Sequence, residues 1–354
     1  MKCCPECFGD PGLSREIIPR HTHETGACPT CNSANQPLVE ARELGEYFEL
    51  LLATYELDEQ EGRPLTELMQ EEWALFRSSD MDQAKSQVLL GEILDDGNIV
   101  RRLHRPADSL TPSQLGDWDR FSEELKHKNR FFPDVDFGRE RLEDLLSRLL
   151  EDSAAFASTW YRARICSDDG AFTTSEMGAP PARKARHGRA NPAGIPYLYL
   201  ASDERTALAE VRPHPGERVS IAEFSVDALT IVDLRHPIVT VSPFLSRDEE
   251  EIKLLRGDIQ FLERLGQELT IPVVPNSAAI DYIPSQFLCE FIKKAGYDGL
   301  AYRSSVGAGV NLAIFQTDRG TPVAVRHAVV TKLEIQTADV NDGSIPGSSH
   351  KVAQ

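Results

Sequence analysis

Between His187 and Glu210 the chain places three chemically capable side chains at short intervals: the guanidinium of Arg189, the phenol of Tyr199 and the carboxylate of Glu210. Gly188-Arg189 followed by Asn191-Pro-Ala-Gly194 reads as a loop that holds a guanidinium close to the backbone. Tyr199 falls in a short apolar run that reads as a strand, and Glu210 in a short helix. A cation from a loop, an aromatic from a strand and an acid from a helix suit a ligand with a phosphate, a flat ring and a sugar. Arginine binds phosphate through paired N–H groups. Tyrosine stacks on a heterocycle. A carboxylate stabilises positive charge on a ribose as its glycosidic bond breaks. The same residues also admit a plainer arrangement, an Arg189–Glu210 ion pair with Tyr199 packed in the core.

A second group lies at the N-terminus. Five of the seven cysteines fall in the first 31 residues, and Cys4-Pro-Glu-Cys7 and Cys28-Pro-Thr-Cys31 are two CxxC pairs with twenty residues between them. Each pair can form a knuckle that aims two sulfurs at one ion, and two knuckles make the tetrahedral S4 set that zinc accepts. Cys4, Cys7, Cys28 and Cys31 are therefore the expected ligands of a closed structural zinc site. Four free thiols or a redox pair are the alternatives. Cys3 is a substitute for Cys4 only with a spacing one residue longer, and His21 and His23 are spare donors expected to stay unused. Gly9 and Gly26 flank the knuckles where turns favour permissive backbone.

These groups must be positioned by a chain of 354 residues, with 41% hydrophobic and 27% charged residues, an ordinary globular composition. Its 38 Lys and Arg stand against 56 Asp and Glu, for a net charge of −18. Such a chain is poorly suited to wrapping nucleic acid, which needs clustered cations. No apolar run is long enough for a membrane span, and MKCCPECFGD has no apolar core of a secretion signal. A cytoplasmic location is expected, where clustered cysteines bind metal more readily than they form disulfides.

Four segments are expected: a zinc-knuckle segment over 1–40, a helical domain over 41–152, a catalytic domain over 153–335 and a disordered tail over 336–354. Leu44, Tyr47, Phe48, Leu51, Leu52 and Tyr55 recur at helical spacing, as do Leu142, Leu145, Leu146, Leu149 and Leu150. Residues 41–150 carry 14 Lys and Arg against 25 Asp and Glu, which reads as a solvated helical bundle. Within it Arg120 and His127, with six residues between them, have the RxxxxxxH spacing of HEPN ribonucleases. Such a pair would hold a phosphate and move a proton, though the acidic surroundings repel RNA.

Beyond residue 155 short apolar runs alternate with turn residues. Strands are expected over 160–165, 195–200, 220–225, 230–234, 299–302 and 311–315, and helices over 204–211, 249–269 and 285–295. This order implies an α+β domain. Neither GxGxxG nor GxxxxGK[ST] occurs, which removes a Rossmann fingerprint and a P-loop.

The segment Gly188–Glu210 resembles the RES domain family, named for its Arg, Glu and Ser. Arg189 is followed ten residues later by Tyr199 and eleven after that by Glu210, the family's spacing. Tyr302-Arg-Ser-Ser-Val306 with Gly309-Val-Asn-Leu-Ala-Ile-Phe315 is similar to the family's serine turn, which leaves Ser304 or Ser305 as the serine. The likeness spans roughly residues 158–330, and the N-terminal part is similar to RES proteins with a zinc-knuckle and HEPN-like extension. Ala190 stands where many members have an aromatic, and the helix-bearing stretch from Leu245 to Ala279, with its two prolines, is an insertion.

The resemblance implies an ADP-ribosyltransferase-like fold that takes NAD+ as substrate and breaks its nicotinamide–ribose bond, by hydrolysis or by phosphorolysis with inorganic phosphate. Arg189 would hold the diphosphate or nicotinamide-ribose region, Tyr199 would flank the nicotinamide, and Glu210 would engage the ribose. Ser304 or Ser305 would hydrogen-bond the ribose or the nucleophile. Arg164 would be a second phosphate contact, with Arg162 as its alternative, and Asn191, which keeps the loop's polar position, would be a cofactor-binding residue. It further implies a toxin or defence effector held by an antitoxin, a regulatory partner or its own extension, with a second copy of the chain as another partner. ADP-ribosyl transfer to a macromolecule and a non-enzymatic interaction role are the alternatives.

Overall fold

The computed structural model describes residues 1–107, 114–136, 138–167, 170–271 and 277–333. The tail expected to be disordered, and the two prolines of the insertion, lie outside these residues. Two compact units form: residues 1–117 with 236–263, and 118–235 with 264–354. These boundaries do not coincide with the sequence divisions at 40/41 and 152/153. No helix among the described residues is long and apolar enough to cross a membrane.

The first unit carries short strands beside the helices expected of the bundle over 41–150. Helices Gly45–Leu52, Leu65–Trp73 and Gln83–Ile93 are joined by a small antiparallel sheet of Tyr55–Leu57, Leu103–Pro106 and Arg63–Pro64. Strands of two to four residues are too short to show a period of two. Its core is aromatic: the ring of Phe8 lies 5.6 Å from Phe48 and 5.9 Å from Phe76, and Phe48 lies 4.7 Å from Phe244. The expected helix Glu249–Leu269 is present over Glu249–Glu268, with Ile252, Leu255, Ile259, Leu262 and Leu265 all buried. A hydrophobic stripe repeating every three to four residues is a packing face. Arg256 reaches Glu72 at 3.0 Å and Thr54 beside it, so the buried charge is paired and hydrogen-bonded.

The second unit is built on one eight-stranded sheet. Its strands are β1 (Leu150–Asp152), β2 (Trp160–Ile165), β3 (Leu198–Ala201), β4 (Arg218–Val226), β5 (Thr230–Asp233), β6 (Gly299–Arg303), β7 (Val310–Ile314) and β8 (Gly320–Val329). In space they run β8-β4-β2-β3-β7-β6-β5-β1, antiparallel except for β5 beside β6. The α+β expectation holds, and all six expected strands are present with small shifts at their ends. Strands β1 and β8 were not expected. One is three residues long, and the other lies at an edge where Arg326 and His327 interrupt its apolar residues.

One face of the sheet buries Trp160, Leu198, Leu200, Phe224, Leu312 and Ile314 around Met177. The opposite face packs Ala163, Ala201, Val219 and Ile221 against Ala207 of helix α1 (Glu204–Val211). Asp203 caps α1 by accepting from Thr206 N at 2.8 Å. Helix α2 (Ile283–Lys294) packs beside β6 and buries Leu288, Cys289 and Ile292.

One interruption of the sheet positions the site. Strands β2 and β3 pair at a single position, Tyr161 with Ala201, and then part. Arg162 and Ala163 on one side, and Tyr199 and Leu200 on the other, face the opening.

Candidate active site

The parting of β2 and β3 opens into a cavity of about 520 Å³, within the range of small-molecule sites. Its walls carry Arg162, Arg189, Arg212, Tyr199, Glu210 and Ser305, and Tyr282, Tyr302 and Asn311 are also among the lining residues. Three guanidiniums around one carboxylate make an anion-receptive cavity in a chain of net charge −18.

The loop that carries Arg189 is locked from within. Asn191 donates Nδ2 to the carbonyls of Arg186, Pro192 and Ile195 and accepts from Tyr199 Oη at 2.7 Å. A Cβ on Gly188 would stand 2.5 Å from Asn191 Oδ1 and 2.8 Å from Tyr199 Oη, so only glycine fits there. Ser285 and Gln286 of α2 donate to the carbonyls of Arg189 and Gly188. The Arg189 guanidinium donates to Ile271 O at 2.8 Å and lies 5.1 Å from the centre of the Tyr282 ring.

Asn191 is thus a loop organiser, turned away from the cavity it was expected to contact. Ala190, the departure from the family pattern, uses only its backbone: its N–H donates to Tyr199 Oη at 3.1 Å. Tyr199 is engaged at both lone pair and proton, and burial pushes its phenol well above the usual range, so it stays neutral.

Arg162 and Arg164 occupy the same face of β2, two residues apart, and the structure separates their roles. Arg164 turns from the cavity, donating to Glu176 O at 2.6 Å and stacking 3.9 Å from the centre of the Phe172 ring. Arg162 enters the gap between the strands and donates to Tyr199 O at 3.2 Å. Its Nε is buried without a partner. Burial first, and the nearby Arg164 cation second, lower its guanidinium to about 10. It remains charged at neutral pH, with an unmet donor that an anion would satisfy.

Glu210, at the end of α1, faces the cavity and is exposed. Its Oε1 accepts from Ser304 Oγ at 2.7 Å and from Asn311 Nδ2 at 2.6 Å. Oε2 has no partner among the described residues. The expected serines divide: Ser304 bonds Glu210, while Ser305 lines the cavity. The turn bearing them is pinned on the first turn of α1, where Gly309 N donates to Thr206 Oγ1 at 3.0 Å and Val310 N to Ser202 Oγ at 3.0 Å. The plainer arrangement is not met: Tyr199 is half-buried and lines the cavity, and no ion pair joins Arg189 to Glu210 among the described residues.

Sequence reading missed Arg212 and Asn311. Arg212 ends α1 in the left-handed region at φ 48, a conformation costly for a residue that carries a Cβ, and its side chain comes to the cavity wall. Its place directly after the helix was the only local signal. Asn311 was visible only as part of the Gly309–Phe315 run. His214 is exposed and does not line the cavity.

In the first unit, Cys4, Cys7, Cys28 and Cys31 are all buried with their sulfurs within 4.8 Å of one another. The neighbouring separations are 4.0 Å, 3.5 Å and 3.6 Å. A tetrahedron with metal–sulfur arms of about 2.3 Å has edges of about 3.8 Å, so the donor set fits a tetrahedral ion. Cys3 turns away to Val39 O at 3.8 Å, which settles its exclusion. Gly9 takes the left-handed backbone expected of it at φ 71, but Gly26 lies in a strand, and Asn32 at φ 64 makes the second turn. Arg120 and His127 are both exposed on the helix Gln114–His127, and neither lines a described cavity.

The RES domain family matches residues 159–337, just over half of the chain and all of the cavity's walls. The chain belongs to the RES domain family. No curated protein matches it. Among solved structures it is similar to a chain from the crystal structure of the M. tuberculosis MbcT–MbcA toxin–antitoxin complex, at 16% identity and a TM-score of 0.34, over 54% of this chain and 93% of that one.

Proposed function

We propose that this RES domain binds NAD+ in the cavity and breaks its nicotinamide–ribose bond, with Glu210 as the group that engages the ribose. The observation that carries the reading is the carboxylate itself: exposed to the cavity, held through Oε1 and free at Oε2, among three guanidiniums. Arg162, with its unmet Nε, is the first diphosphate contact, and Arg189 the second. Tyr199 flanks the ring through its fixed face.

As the bond from ribose C1′ to the pyridinium nitrogen breaks, its electron pair passes to the ring and neutral nicotinamide leaves. Positive charge develops on the ribose, and the Glu210 carboxylate stabilises it. Water or inorganic phosphate then adds to C1′, giving ADP-ribose with release of a proton, or ADP-ribose 1″-phosphate. Ser305, on the cavity wall, is placed to hydrogen-bond that nucleophile or the ribose.

Cys4, Cys7, Cys28 and Cys31 would hold a zinc ion that cross-links the N-terminal segment. The biological role proposed is that of a cytoplasmic toxin or defence effector that depletes NAD+, restrained by an antitoxin-like partner; family membership is its support. The test is incubation of the purified chain with NAD+, with and without phosphate. Free nicotinamide with unlabelled protein supports the reading. Protein that acquires ADP-ribose points to transfer, and intact NAD+ removes the reading.

A further inference from the structure

Glu210 is held by two donors of different kinds. Ser304 belongs to a turn, and its Oγ already accepts from Val306 N at 3.2 Å and Gly307 N at 2.9 Å, so its proton is left for the carboxylate. Asn311 belongs to the sheet. It is the second residue of β7, paired to Tyr302 of β6 on one side and to Ala201 of β3 on the other, and it is 5% exposed. Its backbone is therefore held by a strand on each side.

The two donors meet on one oxygen, at 2.7 Å and 2.6 Å, from a turn and from a strand. A carboxylate fixed at one oxygen by a single donor can still swing. With two converging donors it is held in orientation, and Oε2 is left as the oxygen available to a ligand. Orientation of a catalytic group to within a fraction of an ångström is a recognised contribution to rate.

We propose that Asn311 is a positioning residue that fixes the Glu210 carboxylate where it can stabilise charge on the ribose; this rests on the NAD+-cleaving reading of the cavity. The position demands a donor. Aspartate has the same shape but sets a second carboxylate against Glu210, and leucine fills the space but donates nothing.

The experiment compares wild type, Asn311→Leu, Asn311→Asp, Glu210→Gln and the double variant Asn311→Leu/Glu210→Gln. Nicotinamide release gives kcat and KM for NAD+, and melting temperature monitors the fold. Loss of one hydrogen bond to a charged group predicts a fall in kcat of about 10- to 100-fold in Asn311→Leu, with KM for NAD+ little changed. Asn311→Asp, which keeps the shape, falls at least as far. In the double variant Asn311→Leu adds nothing to the loss from Glu210→Gln, because the two residues act as a unit. Full kcat in both Asn311 variants, or losses that multiply in the double variant, overturn the positioning role while leaving the cavity reading intact. Wild-type protein that leaves NAD+ untouched overturns both.

Discussion

The cysteine cluster and the sheet cavity are both convergent polar groups, yet they differ in what is left over. In the cluster every donor is buried, and the four sulfurs face one another at distances that one ion would fill. Nothing remains for a substrate. In the cavity, side chains from separate stretches of chain converge with atoms that have no partner among the described residues: Arg162 Nε, Glu210 Oε2 and the Arg212 guanidinium. A closed set of donors leaves nothing for a further partner, whereas an open set of partly satisfied charges does. The comparison teaches that satisfaction, more than polarity, separates the two roles.

The largest effect that would break this contrast is expected at the cluster. Structural zinc contributes apparent binding energies of about 10–16 kcal/mol in small domains. Cys28→Ser should therefore lose the one tightly held zinc per chain and render the first unit sensitive to proteolysis, as read by metal analysis and limited digestion. A folded first unit without metal would put the cluster in the wrong class.

In the cavity the expected losses are smaller and kinetic. Arg162→Met should raise KM for NAD+ by about 10- to 100-fold, the worth of a charge-assisted contact, with the melting temperature unchanged or higher because a buried donor without a partner, Nε, is removed. The same substitution at Arg164, which is spent on Glu176 O and Phe172, should leave KM near wild type. Equal effects at the two positions would erase the distinction between spent and unspent groups.

Next comes the loop behind the cavity. Tyr199→Phe strands Asn191 Oδ1 and Ala190 N–H and should cost about 1–3 kcal/mol in denaturant unfolding.

The smallest effect lies in the first unit, at Asp10. Burial raises the Asp10 carboxyl to about 6, although Leu13 N–H and Ser242 Oγ–H donate to its Oδ1. A raised folded value means that the folded state binds the proton more tightly than the unfolded chain does, so this group's contribution to stability falls as pH rises from about 4 to 6. Asp10→Asn keeps the acceptor and should stabilise by about 1 kcal/mol more at pH 7.5 than at pH 5, measured by thermal melting at both. A larger gain at pH 5 would contradict the burial account.

How much of this was legible depended on how local each signal was. The CxxC pairs are local, so spacing alone named the four cysteines that cluster. Arg189, Tyr199 and Glu210 were legible through their fixed intervals along one segment. The choice of Arg162 over Arg164 was not, because both point to the same side of β2 and only the parting from β3, set by a strand almost forty residues away, distinguishes them. Asn311 was hidden for the same reason: its meeting with Glu210 depends on the register of β7 against β3. Asn191 misled because a buried asparagine with three carbonyl partners and an exposed ligand contact look alike in a loop sequence.

The most direct measurement of the central claim is free nicotinamide released from NAD+ by wild-type protein and by Glu210→Gln, at equal zinc content and melting temperature. Steady release by the wild type, reduced about a thousandfold in the variant as expected when charge stabilisation of a transition state is removed, is the predicted result. Equal release by both proteins, or none from the wild type, would contradict it.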